Sequence, residues 1–346
     1  MQYRETSLDF MNRLLEEEGI FYFFIESGGK EKLVLTDGAS GYKPVVGDPK
    51  IPFRSVAVGD RRNIEHIFDL RSSEKVTSGK VTLNDYDFER PQADLFSMTA
   101  LPKGSHEGKD HEIYDYPGHY RLSDDGKRNA RIRMEAEAVR HMTIEASGNI
   151  TTLGSGLTFD LIDHPRTSEN KGYVVTRAVH AFQLTGGDKP PLGVKTPIGM
   201  SAATGGGADY YQVKAHAIPK AEQYRAPLRT PWPQIVGVHT AVVVGPSGEE
   251  IYPDKYGRVK VQFHWDRLGK KNETSSLWIR SMMPWTGKNW GMIALPRIGQ
   301  EVVVQFEEGN PDRPVIIGML YNADTMPPYT LPGEMTKSGV VTRSSK

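Results

Sequence analysis

At 346 residues the chain is long enough for two or three domains with their own cores. Its 43 Lys and Arg balance 43 Asp and Glu, so the basic excess of a dedicated nucleic-acid or anionic-membrane binder is missing. There is no cysteine, which removes disulfides, thiolate metal sites and cysteine nucleophiles together.

In chain order, Thr6 and Asp9 form a weak capping box ahead of Leu8, Met11, Leu14 and Leu15, whose spacing predicts a helix stopped at Gly19. No basic segment followed by an apolar stretch opens the chain, so no cleaved signal peptide is expected. The strongest apolar run, Ile20 to Ile25, is far shorter than the ~20 residues of a membrane helix. It reads instead as a strand that pairs with Leu33 to Leu35 through Ser27-Gly28-Gly29-Lys30. Further strands are predicted over 64–71, 79–85 and 173–182, with a helix over 124–142 on which Ala130, Met134 and Ala138 share a face. On that helix Arg131/Glu135 and Arg133/Glu137 are spaced to pair. Residues 1–183 therefore form a mixed α and β region. Residues 184–233, crowded with Gly186-Gly187, Pro190-Pro191, Gly205 to Gly207 and Pro231-Trp232-Pro233, read as an irregular linker holding a strand near 210–217.

From Gln234 the pattern is plainly β. Strands are predicted over 235–244, 277–282, 292–295, 301–306 and 315–321. In another, Val259, Val261, Phe263 and Trp265 face one side while Lys260, Gln262, His264 and Asp266 face the other. Short strands at this density predict an OB-type Greek-key barrel over 234–322, followed by a tail over 323–346. The fold class is thus mainly β with some α. All five tryptophans lie between Trp232 and Trp290, and Pro284, Trp285 and Trp290 fall outside the alternating core set. Large apolar groups so placed mark an interface more often than a cofactor box, which makes these three the candidate interface residues. If its indole is fully enclosed, removing Trp290 costs ~3–5 kcal/mol.

Groupings that chemistry requires are thin. His264 and Asp266 share a strand face, but two ligands do not make a metal site, and no His-Glu-x-x-His occurs. Gly245-Pro246-Ser247-Gly248 reads as a hairpin turn and not as a nucleophile elbow. Gly205 to Ala208 has the glycines of a phosphate loop without its lysine. Glu16-Glu17-Glu18 and Glu307-Glu308 read as solvated charge. Lys127, Arg128, Arg131, Arg133 and Arg140 form the best basic cluster, yet Glu135 and Glu137 sit among them and Lys260 alone serves the barrel. The expectation is a protein without catalytic, cofactor or metal site, and without nucleic-acid partner.

The stretch 245–251, Tyr256-Gly-Arg-Val-Lys-Val-Gln-Phe-His-Trp-Asp266, Trp278-Ile-Arg280, Pro296-Arg-Ile-Gly-Gln-Glu-Val302 and Gly309-Asn-Pro-Asp-Arg-Pro314 resembles the OB domain of the VgrG spike family of type VI secretion. Gln2-Tyr-Arg-Glu-Thr6, Leu14-Leu-Glu-Glu-Glu-Gly-Ile20, Asp85-Tyr-Asp-Phe88, Tyr114-Asp-Tyr-Pro-Gly118 and Asp163-His-Pro165 are similar to the hub region of that family, which is related to contractile phage tail hubs. The resemblance implies a structural, non-enzymatic homotrimer that sits on the Hcp tube and carries a needle with a PAAR-repeat tip. It further implies contacts with baseplate components, and a protein held in the cytoplasm until sheath contraction delivers it with its effectors. Relative to the family pattern the hub looks shortened before Tyr3, and no needle repeat follows Asn322. Leu277, where many relatives carry cysteine, is expected to be buried. The alternatives are a phage tail hub, a peptidoglycan hydrolase, and an oligosaccharide- or nucleic-acid-binding OB protein.

Overall fold

The first helix begins where its capping chemistry puts it. The computed structural model describes residues 1–55, 64–183 and 210–344; the glycine run Gly205 to Ala208 and the rest of the linker up to residue 209 lie outside them. Helix α1 (Ser7–Glu17) opens with the Asp9 amide donating to the Thr6 hydroxyl at 3.1 Å, while that hydroxyl donates to the Asp9 carboxylate at 2.7 Å. It closes in a Schellman turn, the Ile20 amide bonding the Leu15 carbonyl at 2.8 Å with Gly19 at φ +70°. The helical spacing is as predicted, but the apolar face is not a core face in this chain. Leu8, Met11 and Leu14 are exposed, and the buried residue is Arg13.

The described residues divide into two units, Met11–Thr230 and Met1–Phe10 together with Pro231–Lys346. In the first, β1 (Phe21–Glu26) and β2 (Glu31–Thr36) form the predicted hairpin, with Phe24 opposite Leu33 and Tyr22 opposite Leu35. The chain then contributes β3 (Lys43–Pro44), β4 (Lys50–Pro52), β5 (Ile67–Glu74), β6 (Lys80–Leu83), β7 (Ser97–Ala100) and β8 (Glu112–Asp115). Helix α2 (Ser123–Ala138) is followed by β9 (Met142–Gly148), β10 (Leu157–Ile162), β11 (Gly172–Gln183) and β12 (Tyr210–Pro219). A seven-stranded sheet runs β3-β10-β11-β12-β9-β5, with β4 also paired to β10. The strand expected near 210–217 is β12, and it lies in the middle of this sheet between β11 and β9. The sheet therefore continues past residue 183, where sequence placed the start of a connection. Ile51, Ile144, Phe159, Leu161, Val175 and Val213 are among the side chains of its core.

Helix α2 covers the small sheet β7-β6-β8 with Ala130, Met134 and Ala138, the face predicted for it, packed against Val81 and Leu83. It ends at Ala138, short of the predicted 142, because Met142 already starts β9. β-Branched Thr143 and Ile144 favour the extended chain there. Arg131 lies 3.9 Å from Glu135 as expected. Arg133 instead pairs with Asp115, and Glu137 takes Arg140 at 2.8 Å.

Arg225 ties this unit together. Its guanidinium donates to the Glu135 carboxylate at 2.7 Å and to the Gly19 carbonyl at 2.9 Å, and also to the Asp37 carbonyl. One buried side chain thus joins the end of α1, the end of β2 and the last turn of α2.

In the second unit β13 (His239–Val244), β14 (Lys260–Phe263), β15 (Arg280–Ser281), β16 (Trp285–Gly287), β17 (Trp290–Met292), β18 (Glu301–Phe306) and β19 (Pro314–Leu320) follow in turn. Five of them order as β14-β13-β18-β19-β15. Val259 and Ile279 exchange backbone hydrogen bonds at 3.0 and 2.8 Å and close β15 back toward β14. β15 and β19 run parallel and the other barrel pairs antiparallel. This cyclic order is that of an OB barrel. Its core is the predicted alternation: Val259, Val261 and Phe263 against Val302, Val304 and Phe306. Tyr3 packs on that core, so the Gln2–Thr6 motif lies in the same compact unit as the barrel.

Three expectations for the barrel change. Gln262 is buried, because its side chain holds the following loop through the Asp266 carbonyl at 2.9 Å and the Lys271 amide at 3.3 Å. The strand ends at Phe263, so Trp265 is half exposed and stacks on the Phe263 ring at 4.9 Å instead of entering the core. Leu277 is 51% exposed and lies outside the regular strands.

Two stability predictions follow from these contacts. Arg225→Met leaves the partly buried Glu135 carboxylate without its hydrogen-bonded cation and the Gly19 carbonyl without its side-chain donor, while the Asp37 carbonyl keeps only Gln223 at 3.3 Å, and should cost about 3–5 kcal/mol in urea unfolding. The Asp254 carboxylate accepts from the Tyr256 and Arg258 amides, both at 2.9 Å, and from the Arg258 guanidinium at 2.7 Å. Burial pushes its pKa up, yet these donors together hold it below the ordinary value. Its contribution is therefore complete above about pH 4 and lost as pH falls through the lower folded value. Urea midpoints recorded from pH 6 to pH 2.5 should fall less steeply on the acid limb in Asp254→Asn than in the parent.

Candidate functional site

Lys288 and Asn289 turn β16 back on β17, with Asn289 in the left-handed region at φ +63°. Trp285 opposes Met292 and Gly287 opposes Trp290, so Trp285, Gly287, Trp290 and Met292 share one face of the ribbon. A Cβ at Gly287 would sit 2.2 Å from the Trp290 ring, so the glycine gives the indole room to lie across the neighbouring strand. The two indoles meet edge to face at 5.3 Å.

All of this surface is open. Trp285 is 65% and Trp290 58% exposed, and Pro284 and Met292 are exposed as well. Pro284, Trp285 and Trp290, singled out from sequence, come together on one small ribbon and its foot. Sequence reasoning missed Met292, which the pairing with Trp285 places on the same face; its spacing of two from Trp290 was the available signal. Neither tryptophan is a core group in this chain, so the cost of an enclosed indole does not apply to it.

A second apolar face was not foreseen. In the hairpin, Phe21 and Phe23 point inward, while Phe24 is 59% exposed and Leu33 and Leu35 stand beside it. The Tyr22 hydroxyl donates to the Asn12 side-chain oxygen at 3.0 Å, which links this face to α1 and its exposed Met11 and Leu14. The unbroken run Ile20 to Ile25 was the clue: a strand with one wet face alternates, and this one does not.

The polar candidates are engaged in holding the fold. His264 bonds the Thr240 hydroxyl at 3.0 Å, and Asp266 accepts from the Leu268 and Gly269 amides at 2.9 and 3.0 Å. Glu16 accepts from the Arg229 and Thr230 amides, each at 3.0 Å, and Glu18 lies 3.4 Å from Arg128. Within the basic cluster, Lys127 pairs with Asp124 at 3.2 Å, so every member of that cluster faces a carboxylate. Lys260 donates to the Glu273 carbonyl at 2.6 Å and lies over the Trp278 ring. Gly248, at φ +90°, sits in the expected turn. Among the described residues, no group of three His, Asp or Glu side chains could hold a metal ion.

Comparison with known proteins agrees with this architecture. Residues 1–186 match the family of the phage tail baseplate hub, and residues 241–321 match the type VI secretion system and phage-baseplate injector OB domain. The type VI secretion system spike protein VgrG1a of Pseudomonas aeruginosa is 42% identical over the whole of this chain, which corresponds to 52% of that protein. The actin cross-linking toxin VgrG1 of Vibrio cholerae is 35% identical over 98% of this chain, or 29% of the toxin. The chain thus spans about half the length, or less, of these curated relatives. Among solved structures, an E. coli component of the type VI secretion system, described as similar to T4 bacteriophage tail proteins, superposes with a TM-score of 0.54 at 22% identity. That superposition covers 92% of this chain and 62% of the E. coli protein. Hub sheet, OB barrel and full-length sequence likeness agree: the chain belongs to the VgrG family of type VI secretion spike proteins, which shares its hub with phage tail baseplates.

Proposed function

We propose that this chain is the hub and barrel base of a homotrimeric spike that sits on the Hcp tube, contacts baseplate components, and carries a needle with its PAAR-repeat tip and effectors. It waits in the cytoplasm and leaves the cell when the sheath contracts. The observation that carries the reading is the open face of Trp285, Trp290 and Met292 with Pro284 at its foot. Apolar groups of this size are normally covered, and the relatives' role in a contractile spike supplies the setting in which a second copy would cover them. In a closed threefold ring each copy's ribbon meets a different patch on the next. The closed OB barrel suits force transmission, since its strands are paired around the ring and load is shared among them. No residue is asked to perform catalysis, because contraction supplies the work. The likeness to the hub family favours the phage-like tail hub as the nearest second reading, and the 42% identity to a type VI spike favours the first.

Light scattering on the purified chain across a concentration series tests this. The parent should move from its monomer mass of 38.6 kDa toward three times that value. The double variant Trp285→Ala/Trp290→Ala should stay monomeric over the same range. Below the association range its unfolding free energy should differ from the parent's by no more than about 1 kcal/mol, the scale of one exposed aromatic pair. A double variant that associates like the parent removes the ribbon from the interface.

A further inference from the structure

Between α1, β1 and β11 the hub unit leaves a cavity of about 230 Å³. Leu15, Ile20, Phe21 and Tyr224 give it an apolar wall, with Phe21 and Tyr224 meeting edge to face at 4.9 Å. Burial pushes Tyr42, on the same wall, up to about 12 and raises Tyr224 as well, so the rings stay neutral. An apolar cavity of ~150 Å³ is known to accept benzene, so this one has room for a six-membered ring and a substituent.

Its polar lining is selective. The Asn12 side chain lines the cavity, and its one hydrogen bond among the described residues uses its oxygen, accepting from Tyr22 at 3.0 Å. The amide nitrogen is left as a donor. Glu16, also on the wall, is already committed to the Arg229 and Thr230 amides and to the Thr230 hydroxyl, and its charge disfavours an anion. We infer that this cavity binds a small neutral aromatic molecule of the phenol class, its ring against Phe21 and Tyr224 and its oxygen accepting from the Asn12 amide. The site stands apart from the tryptophan ribbon and does not depend on the assembly proposed above.

p-Cresol and toluene share a ring and a methyl group and differ by one hydroxyl, so they separate the ring contact from the amide contact. Titrated calorimetrically into the full chain, p-cresol should saturate one site with a Kd below about 1 mM, and toluene should bind about tenfold more weakly. Asn12→Leu should bring p-cresol down to the affinity of toluene. Ser155→Phe, which places a ring in the cavity, should abolish both. Asn12 is a half-buried helix position, so its variant keeps the comparison decisive even where Ser155→Phe does not fold. Failure of p-cresol to saturate below about 10 mM overturns the inference, and so does equal p-cresol affinity in the parent and Asn12→Leu.

Discussion

The hub unit depends on one buried guanidinium. Arg225 stands at the place where helix α1 turns into the hairpin and where the hairpin ends, and it reaches the last turn of α2 through Glu135. Each of those points leaves a backbone carbonyl or a carboxylate that burial would penalise without a donor. A planar group with five N–H donors can serve all three at once, which no lysine could do in the same space. Gly19 belongs to the same arrangement. A Cβ there would press on Ile132 at 2.9 Å and on the Arg225 guanidinium at 3.2 Å, so its positive φ and its lack of a side chain are both required. The apolar face of the hairpin and the cavity beside α1 exist because this junction fixes the helix and the strands relative to one another.

Several carboxylates of both units serve to hold loops and turns. Carboxylates that would be catalytic candidates elsewhere are loop caps or strap anchors here: Asp254 organises the turn into β14, Asp266 the turn out of it, and Glu16 the segment at 229–230. Among the described residues, exposed apolar side chains include those of the ribbon β16–β17 and of the outer face of β1–β2. This distribution is what a protein built to bind other proteins needs, and it agrees with the company the chain keeps among spike and hub proteins.

How much could be read in advance differed between the two units. The barrel was legible because each of its strands has one wet face: Val259, Val261 and Phe263, and again Val302, Val304 and Phe306, announce an inside by period two. Helix α1 was legible from Thr6, Asp9 and Gly19, since caps are local chemistry. The hub sheet was harder, because β12 follows a long glycine- and proline-rich stretch and pairs with β11 and β9. Nothing local tells a strand which distant strand it will join.

By itself, the sequence determined where chain direction reverses, which strands alternate, that no thiol chemistry exists, and that Trp285 and Trp290 stand outside the core pattern. These are properties of single residues and short periods. The tertiary structure alone decided that Gln262 is buried to hold a loop, that Arg133 meets Asp115 in place of Glu137, and that the apolar face of α1 stays open around a buried Arg13. Each of those outcomes depends on which groups arrive beside a residue from far along the chain, and burial and pairing free energies are set by those neighbours and not by the residue's own identity.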